Sequence, residues 1–344
     1  MAEVQLGLYV EPAAMTVGEY HEQWRATVVD PRLRPQTVVA YRSAIRTHLA
    51  PTLGHPQLGS VTAMHVDRLY ASLLKGGLNP TTLLKTHTIL TSAFRRARRW
   101  RLIADNSMED VAAPRRAVHE TRVLTAGEMA GSIARMDGRR DQMAVVLSGT
   151  LGVRRHEGLA LRWSDIDWDA GEVQISRGVI ELPGQPPALD DLKTATSRRW
   201  LPVPNYTLAH LRQHRKAQLE HRLRAGGAYT DLGLVVCDED GSIARPSRLT
   251  IRFKYRAQRL GYPDLHFHCL RHSYGSNLLA LGVDLATVSR LMGHSNPAIT
   301  VRVYAHMLTG QNQVAAARLD EPSAATRRQL GGPREAGPAP SAAR

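Results

Sequence analysis

Apolar residues recur at helical intervals along the first third of the chain. Thr16 and Glu19 have the spacing of a capping box, and Val17, Tyr20, Trp24 and Val28 follow three or four residues apart, which predicts a helix starting here. A second helix is predicted over Pro35 to Leu49, with Val38, Tyr41, Ile45 and Leu49 on one face. A third runs from Ala63 to Lys75, burying Val66, Leu69, Tyr70, Leu73 and Leu74, and Gly76 with Gly77 stops it. A fourth opens at Asn79 and Pro80, a cap followed by proline in the first helical position, and continues through Leu83, Leu90 and Phe94 towards Trp100. After a lead segment of residues 1–13, residues 14–113 thus read as a small all-helical domain.

Residues 114–121 carry no apolar period and read as an exposed linker. Thr125 and Glu128 form another capping box, opening a second and larger domain over residues 122–308. There the period alternates between helix and short strand. Glu172 to Leu182 and Arg198 to Val203 are predicted strands flanking a Pro/Gly-rich turn at Pro183 to Ala188, and Leu234 to Cys237 is a further short strand. Thr207 to Arg224, Ser247 to Leu260, His268 to Leu281 and Asp284 to Met292 are predicted helices. The fold class expected is α+β, mostly α, with a small sheet in the second domain. Residues 309–344 form a tail, and from about Pro322 its Ala, Pro, Gly, Ser and Arg without period predict disorder.

Charge sharpens this picture. The 344 residues hold 45 Lys+Arg against 31 Asp+Glu, a net charge of +14, which points to a polyanionic partner. Charge by itself does not separate nucleic acid from anionic lipid. No apolar stretch approaches a membrane span, and Met1 to Met15 lacks a secretory layout, so the expected location is the cytoplasm, with no membrane partner. Two cysteines, Cys237 and Cys269, exclude a disulfide framework and an all-cysteine zinc site. Arg95, Arg96, Arg98, Arg99 and Arg101 crowd the end of the fourth helix. They read either as a solvated face or, in so basic a chain, as contacts to DNA phosphates.

Several candidate sites can be weighed. His268, Arg271 and His272 share a helix face. Two histidines four apart can hold zinc, but Cys269 stands where a zinc protease motif carries its glutamate, and no third ligand is obvious, so no metal site is expected. Asp165, Asp167 and Asp169 resemble the opening of a calcium loop, yet Ala170 and Ser176 fail its two diagnostic positions, and a turn is the better reading. Arg154, Lys193, His294 and Tyr304 are each weak singly: Arg154 can be an ion-pair partner for Glu157, Lys193 a loop lysine, Tyr304 a core or surface aromatic. Together with His268 and Arg271 they are the inventory needed to break a phosphodiester without metal. Arginine forks match non-bridging phosphate oxygens, a tyrosine can attack phosphorus, and a lysine or histidine can protonate the leaving oxygen.

In this order the residues resemble the tyrosine recombinase, or phage integrase, family. Arg154 matches the first catalytic arginine, with Glu157 at the supporting acidic position; Lys193 matches the β-hairpin lysine, and Ser197 to Pro204 is similar to the strand after it. His268 and Arg271 match the family's His-x-x-Arg pair, His294 the later histidine, and Tyr304 the nucleophile. The resemblance spans residues 14 to about 308. It implies an N-terminal core-binding, SAM-like helical domain and a mixed α/β catalytic domain of the DNA breaking-rejoining type, closing on duplex DNA. It implies site-specific recombination through a covalent 3′-phosphotyrosyl intermediate, without metal or ATP and so with no cofactor. Arg154, Arg271 and His294 would hold the scissile phosphate, His268 assist proton transfer and Lys193 act as general acid, with Glu157 and His272 in support. The implied partners are a double-stranded recombination site, a homo-tetramer on that DNA, and an excisionase or host DNA-bending factor, in a nucleoid-associated setting. Type IB topoisomerase-like strand passage and a non-cutting regulator of recombinase descent are the alternatives. Three positions depart from the family pattern: Cys269 for aspartate, His156 for a common glycine, and Gly158 for a larger apolar residue. Fifteen residues precede Thr16, where many phage-type members carry an arm-site-binding domain, which leaves open a shortened chain or action without arm sites.

Overall fold

The computed structural model describes residues 14–116, 122–136, 138, 141–192, 198–294, 296, 300 and 301. The lead segment, part of the linker and the tail lie outside the described residues. The chain divides into two compact units, the first built on residues up to 120 and the second on most of those beyond.

In the first unit, helix α1 (Val17–Trp24) starts at the Thr16 cap, where the Thr16 hydroxyl accepts the Glu19 main-chain N–H and the Glu19 carboxylate accepts the Thr16 main-chain N–H. Helix α2 (Pro35–Ala44) continues through a wider turn at Ile45–Leu49 to Leu53, one turn past the expected end. Helices α3 (Ala63–Lys75) and α4 (Pro80–Arg99) follow their caps at Thr62 and Asn79. The apolar faces meet around Tyr20, Trp24, Leu49, Leu69, Leu90 and Phe94. Tyr20 buries its ring fully and donates its hydroxyl to the Ala93 carbonyl at 2.6 Å, so the aromatic costs no unpaired polar atom.

The second unit is organised on a helix that the apolar period does not reveal. Helix α6 (Gln142–Leu151) is buried on nearly every side, from Met143 through Gly149, and packs against α5 (Ala126–Ala134), α7 (Arg155–Ala160), α8 (Asn205–Ala225) and α10 (Phe267–Ala280). A helix apolar all round has no polar face to set a period. Helix α9 (Pro246–Arg259) is tied to the start of α6 by the Arg252 fork on Asp141, at 2.7 and 2.8 Å. Helix α11 (Leu285–Met292) begins at the Asp284 cap and packs Val288 and Met292 against Leu279.

The sheet departs from expectation. Strand β1 (Ile166–Asp167), β2 (Glu172–Ile175) and β5 (Arg199–Pro202) form one antiparallel sheet in the order β1-β2-β5, while β3 (Arg177–Ile180) pairs with β4 (Ala188–Asp191) in another. The single strand expected over Glu172 to Leu182 is therefore two. Alternate burial through Val173 and Ile175 breaks at Ser176, after which Gly178 and Val179 are both buried. Leu234 to Cys237 forms only isolated bridges, because side chains of α8 occupy its carbonyls: Gln218 donates to Leu234, and the His214 ring meets Val235 at 2.7 Å. The three aspartates do not form one loop: Asp165 closes a short 3-10 turn, Asp167 ends β1, and the turn follows over residues 168–171, with Asp167 Oδ1 accepting from the main chain of Asp169 and Ala170. No described helix is long and apolar enough to cross a membrane.

Truncation at the centre of α6 tests this organisation. Leu147 is wholly buried whereas Leu223 on α8 is 82% exposed. Leu147→Ala is expected to cost about 2–5 kcal/mol in the unfolding transition of the second unit, and Leu223→Ala less than about 0.5 kcal/mol, by urea denaturation.

Candidate active site

Arg154 stands at the N-cap of α7, with extended backbone, directly after the turn that ends α6 at Gly152. Glu157, three residues on, reaches back: its Oε2 accepts the Arg154 main-chain N–H at 2.8 Å and its Oε1 the Arg154 Nη1 at 2.7 Å. The carboxylate is completely enclosed. It also takes Arg199 Nη2 at 3.0 Å. Burial alone would raise its pKa, but the charge and hydrogen bonds of Arg199, then those of Arg154, outweigh burial and hold it at about 2.

The three guanidiniums of this site converge on one helix end. At the C-terminus of α11, the Leu291 carbonyl accepts Arg199 Nε at 2.9 Å, the Met292 carbonyl accepts Arg271 Nη2, and the Gly293 carbonyl accepts Arg154 Nη2 at 2.8 Å. The last carbonyls of a helix lack intrahelical partners and carry its negative dipole end, so cations are favoured there. Arg271 also donates to the Gly152 carbonyl, joining the end of α6 to the end of α11. Both joints need glycine: Gly152 and Gly293 have φ of 63° and 62°, and a Cβ on Gly293 would sit 2.8 Å from Arg199 Nη1.

His268 and His272 project from α10 one turn apart, with ring centroids 4.6 Å apart and planes nearly perpendicular. Burial, then the charges of His272, Arg271 and Arg154, pushes His268 down to about 4. His294 follows Gly293, and its Nδ1 meets the buried Thr300 hydroxyl at 2.7 Å. Burial, then Arg271 and Arg154, holds it at about 4 as well. Both rings are neutral at pH 7. A neutral ring can accept a proton or present one N–H, whereas a protonated one would add a cation to a site already rich in them.

Of the expected site residues, the fold thus brings Arg154, Glu157, His268, Arg271, His272 and His294 together, while Lys193 and Tyr304 lie outside the described residues. Arg271 is 1% exposed and its two partners above are main-chain carbonyls, so it is the anchor of the site as well as a charge in it. Arg199 was not among the expected residues. It was findable: strand alternation places Arg199, Leu201 and Val203 on one face, and a cation on a buried face marks a special position. The three departures are absorbed locally. Cys269 turns its buried Sγ to the His266 main chain, His156 packs where Gly178 has no Cβ, and a Cβ on Gly158 would have ordinary contact with Val153. No group of metal-ligand residues is present among the described residues. In the first unit Arg95, Arg98, Arg99 and Arg101 are exposed, Arg98 pairs with Glu109 at 2.9 Å, and Arg96 lies over the Trp100 ring.

Comparison with known proteins gives this geometry a context. The phage integrase family matches residues 126–310, and the SAM-like N-terminal domain of phage integrases matches residues 16–74. The chain belongs to the phage integrase family. A tyrosine recombinase XerC-like protein of Caldanaerobacter subterraneus subsp. tengcongensis is 27% identical over 92% of this chain and 86% of its own length. An integrase of Streptomyces ambofaciens is 27% identical over 91% of this chain and 82% of its own. Among solved structures, the Tn1549 transposon integrase in complex with a circular intermediate DNA superposes with a TM-score of 0.75 at 17% identity, covering 89% of this chain and all of that one. A lambda integrase tetramer bound to a Holliday junction superposes with a TM-score of 0.61 at 16% identity, covering 86% and 81%. At such identities these structures share the fold. This member of the phage integrase family has the expected α+β fold, helical domain plus mixed catalytic domain, and is a tyrosine-type site-specific DNA recombinase.

The buried neutral histidines make stability depend on pH. His268 and His294 titrate near 4 when folded and near 6.5 when unfolded, so between these values the unfolded chain binds the extra protons. Stability is expected to be full above about pH 6.5 and to fall steadily towards pH 4 in urea titrations; His21 of the first unit, held at about 4 chiefly by burial, adds to the fall. His268→Gln is expected to flatten the slope for the second unit.

Proposed function

We propose that this recombinase breaks and rejoins duplex DNA at Tyr304, whose phenol oxygen attacks the scissile phosphorus and displaces the 5′-oxygen of the next nucleotide. One P–O bond forms as the other breaks, leaving a 3′-phosphotyrosyl ester and a free 5′-hydroxyl. The phenol proton passes towards neutral His268, and Lys193 protonates the departing 5′-oxygen. A 5′-hydroxyl of the partner strand then reverses the step, so bond energy is conserved and neither ATP nor metal is needed. Arg154 and His294 bind the non-bridging oxygens, and Arg271 adds an undiluted charge from within the protein. His294 Nδ1 meets the Thr300 hydroxyl; in this reading the hydroxyl donates, so His294 carries its proton on Nε2 and offers it to the phosphate. His272 and Glu157 support these groups.

The observation that carries this reading is the convergence of Arg154, Arg199 and Arg271 on the α11 terminus, with Glu157 the carboxylate that Arg154 and Arg199 share. Three cations against one anion leave a positive surplus that attracts a phosphodiester monoanion. Net charge of +14 and the outward arginines of α4 support grip on the duplex by both units, through residues 14–113 and 122–308. The fold-sharing lambda integrase tetramer on a Holliday junction supports action as a homo-tetramer on DNA. The same reading implies a recombination site as substrate and an excisionase or a host DNA-bending factor as accessory.

Covalent trapping on a nicked suicide duplex tests the assignment, the site being recovered by sequencing DNA trapped on the protein. Tyr304→Phe is expected to bind this duplex and form no adduct; an adduct at the wild-type level removes Tyr304 as nucleophile. Arg154→Ala is expected to slow adduct formation by about 100- to 1,000-fold, the usual cost of one preorganised donor to a developing anion. Cleavage is expected to persist in EDTA, and its abolition by the chelator would point to a metal-dependent nuclease instead.

A further inference from the structure

The α11 terminus receives one more guanidinium than the assigned chemistry uses. Arg199 lies on β5 opposite Ile175, on the face that also buries Leu201, while its neighbour Trp200 is half exposed on the other face. Its side chain is 7% exposed. A cation in such a place is costly, and an aliphatic residue would pack there at less expense. Its geometry accounts for its presence. Nη2 and Nη1 approach Glu157 Oε2 and Oε1 at 3.0 and 3.4 Å, and Nε reaches the Leu291 carbonyl at 2.9 Å. Arg154 uses the same two carboxylate oxygens, through its main-chain N–H and Nη1, and the same helix end, through Gly293. The two arginines therefore grip one carboxylate and one helix terminus from two sides.

We propose that Arg199 is a positioning residue of the recombinase: by bridging Glu157 to the α11 terminus it fixes the direction in which Arg154 presents its guanidinium and the placement of His294. The inference rests on the phosphotyrosyl reading for its consequence in rate. Without Arg199, Glu157 keeps Arg154 alone among its described arginine partners, and the pair is free to swing towards solvent on the 28% exposed Arg154 side. The Leu291 carbonyl, two residues before Gly293, loses its tie to β5. A displacement of about 1 Å in such a constellation costs up to about 100-fold in rate.

The test measures binding and single-turnover adduct formation by the full chain on the trapped-site suicide duplex. Arg199→Gln is expected to form adduct about 10- to 100-fold more slowly with affinity for the duplex changed by less than about threefold. Arg199→Lys, which keeps the charge without the fork, is expected to recover at least about fivefold of that loss. In a Glu157→Gln background the further loss from Arg199→Gln is expected to be less than about threefold, because the two act as one unit. Wild-type rates in Arg199→Gln, no recovery in Arg199→Lys, or full multiplication of the two losses would each overturn the proposal. If Arg199→Gln does not fold, the Glu157→Gln and double variants, which bury no lone carboxylate, decide it. A crystal structure of Arg199→Gln separates the two readings: an unmoved Arg154 guanidinium overturns the positioning role whatever the chemistry, whereas absence of any wild-type adduct overturns the phosphotyrosyl reading alone.

Discussion

Three arginine side chains end on three consecutive carbonyls at the C-terminus of α11, and the second unit is arranged around that meeting. Arg154 comes from the start of α7, Arg199 from β5 and Arg271 from α10, so a helix end, a sheet and the central helix pair are brought to one point. Helix ends ordinarily turn their unpaired carbonyls to water. Here they are spent on cations, and the dipole of α11 partly offsets the cost of enclosing them. Glu157 sets one full negative charge against Arg154 and Arg199 and serves both. With Arg271 beside them, the site keeps a positive surplus, which is the charge the proposed phosphate ligand would meet.

That imbalance governs the protonation of everything nearby. His268 and His294 are kept neutral by burial and by surrounding guanidiniums, which is the state needed for a group that takes or presents a proton at pH 7. Glu157 is kept ionised by the same guanidiniums against the pull of burial. One field therefore sets opposite outcomes on the two residue types, since it always favours the less positive form. An anion placed beside these groups would weaken that field and raise the histidines.

The first unit follows a different economy. Its core is apolar and aromatic, with Tyr20 and Trp24 fully enclosed and the α4 arginines turned outward opposite Ala93, Phe94 and Ala97. Arg101 takes a left-handed conformation with φ of 59° at the end of α4, a position glycine usually fills, so even the helix terminus keeps a cation at the surface. Positive charge is spread over the surface here and concentrated in a pocket in the second unit. Spread charge suits sequence-independent grip on a phosphate chain, and concentrated charge suits chemistry on one phosphate.

The sequence by itself determined the helices with polar faces and clear caps: Thr16, Asn79, Thr125 and Asp284 mark their starts because a side-chain cap is a local event. It also determined the family, since Arg154, His268, Arg271 and His294 keep their order and spacing whatever lies between. Helix α6 stayed hidden because burial on all sides erases the period that reveals a helix, and the division of β2 from β3 was hidden because partner choice is a long-range matter. Tertiary structure alone decided that Arg199 joins Arg154 on Glu157, across 42 residues, and that the end of α11 receives all three guanidiniums. Capping and period depend on neighbours within one turn, whereas the meeting of charges from four elements depends on how their backbones are packed, and no local pattern records that.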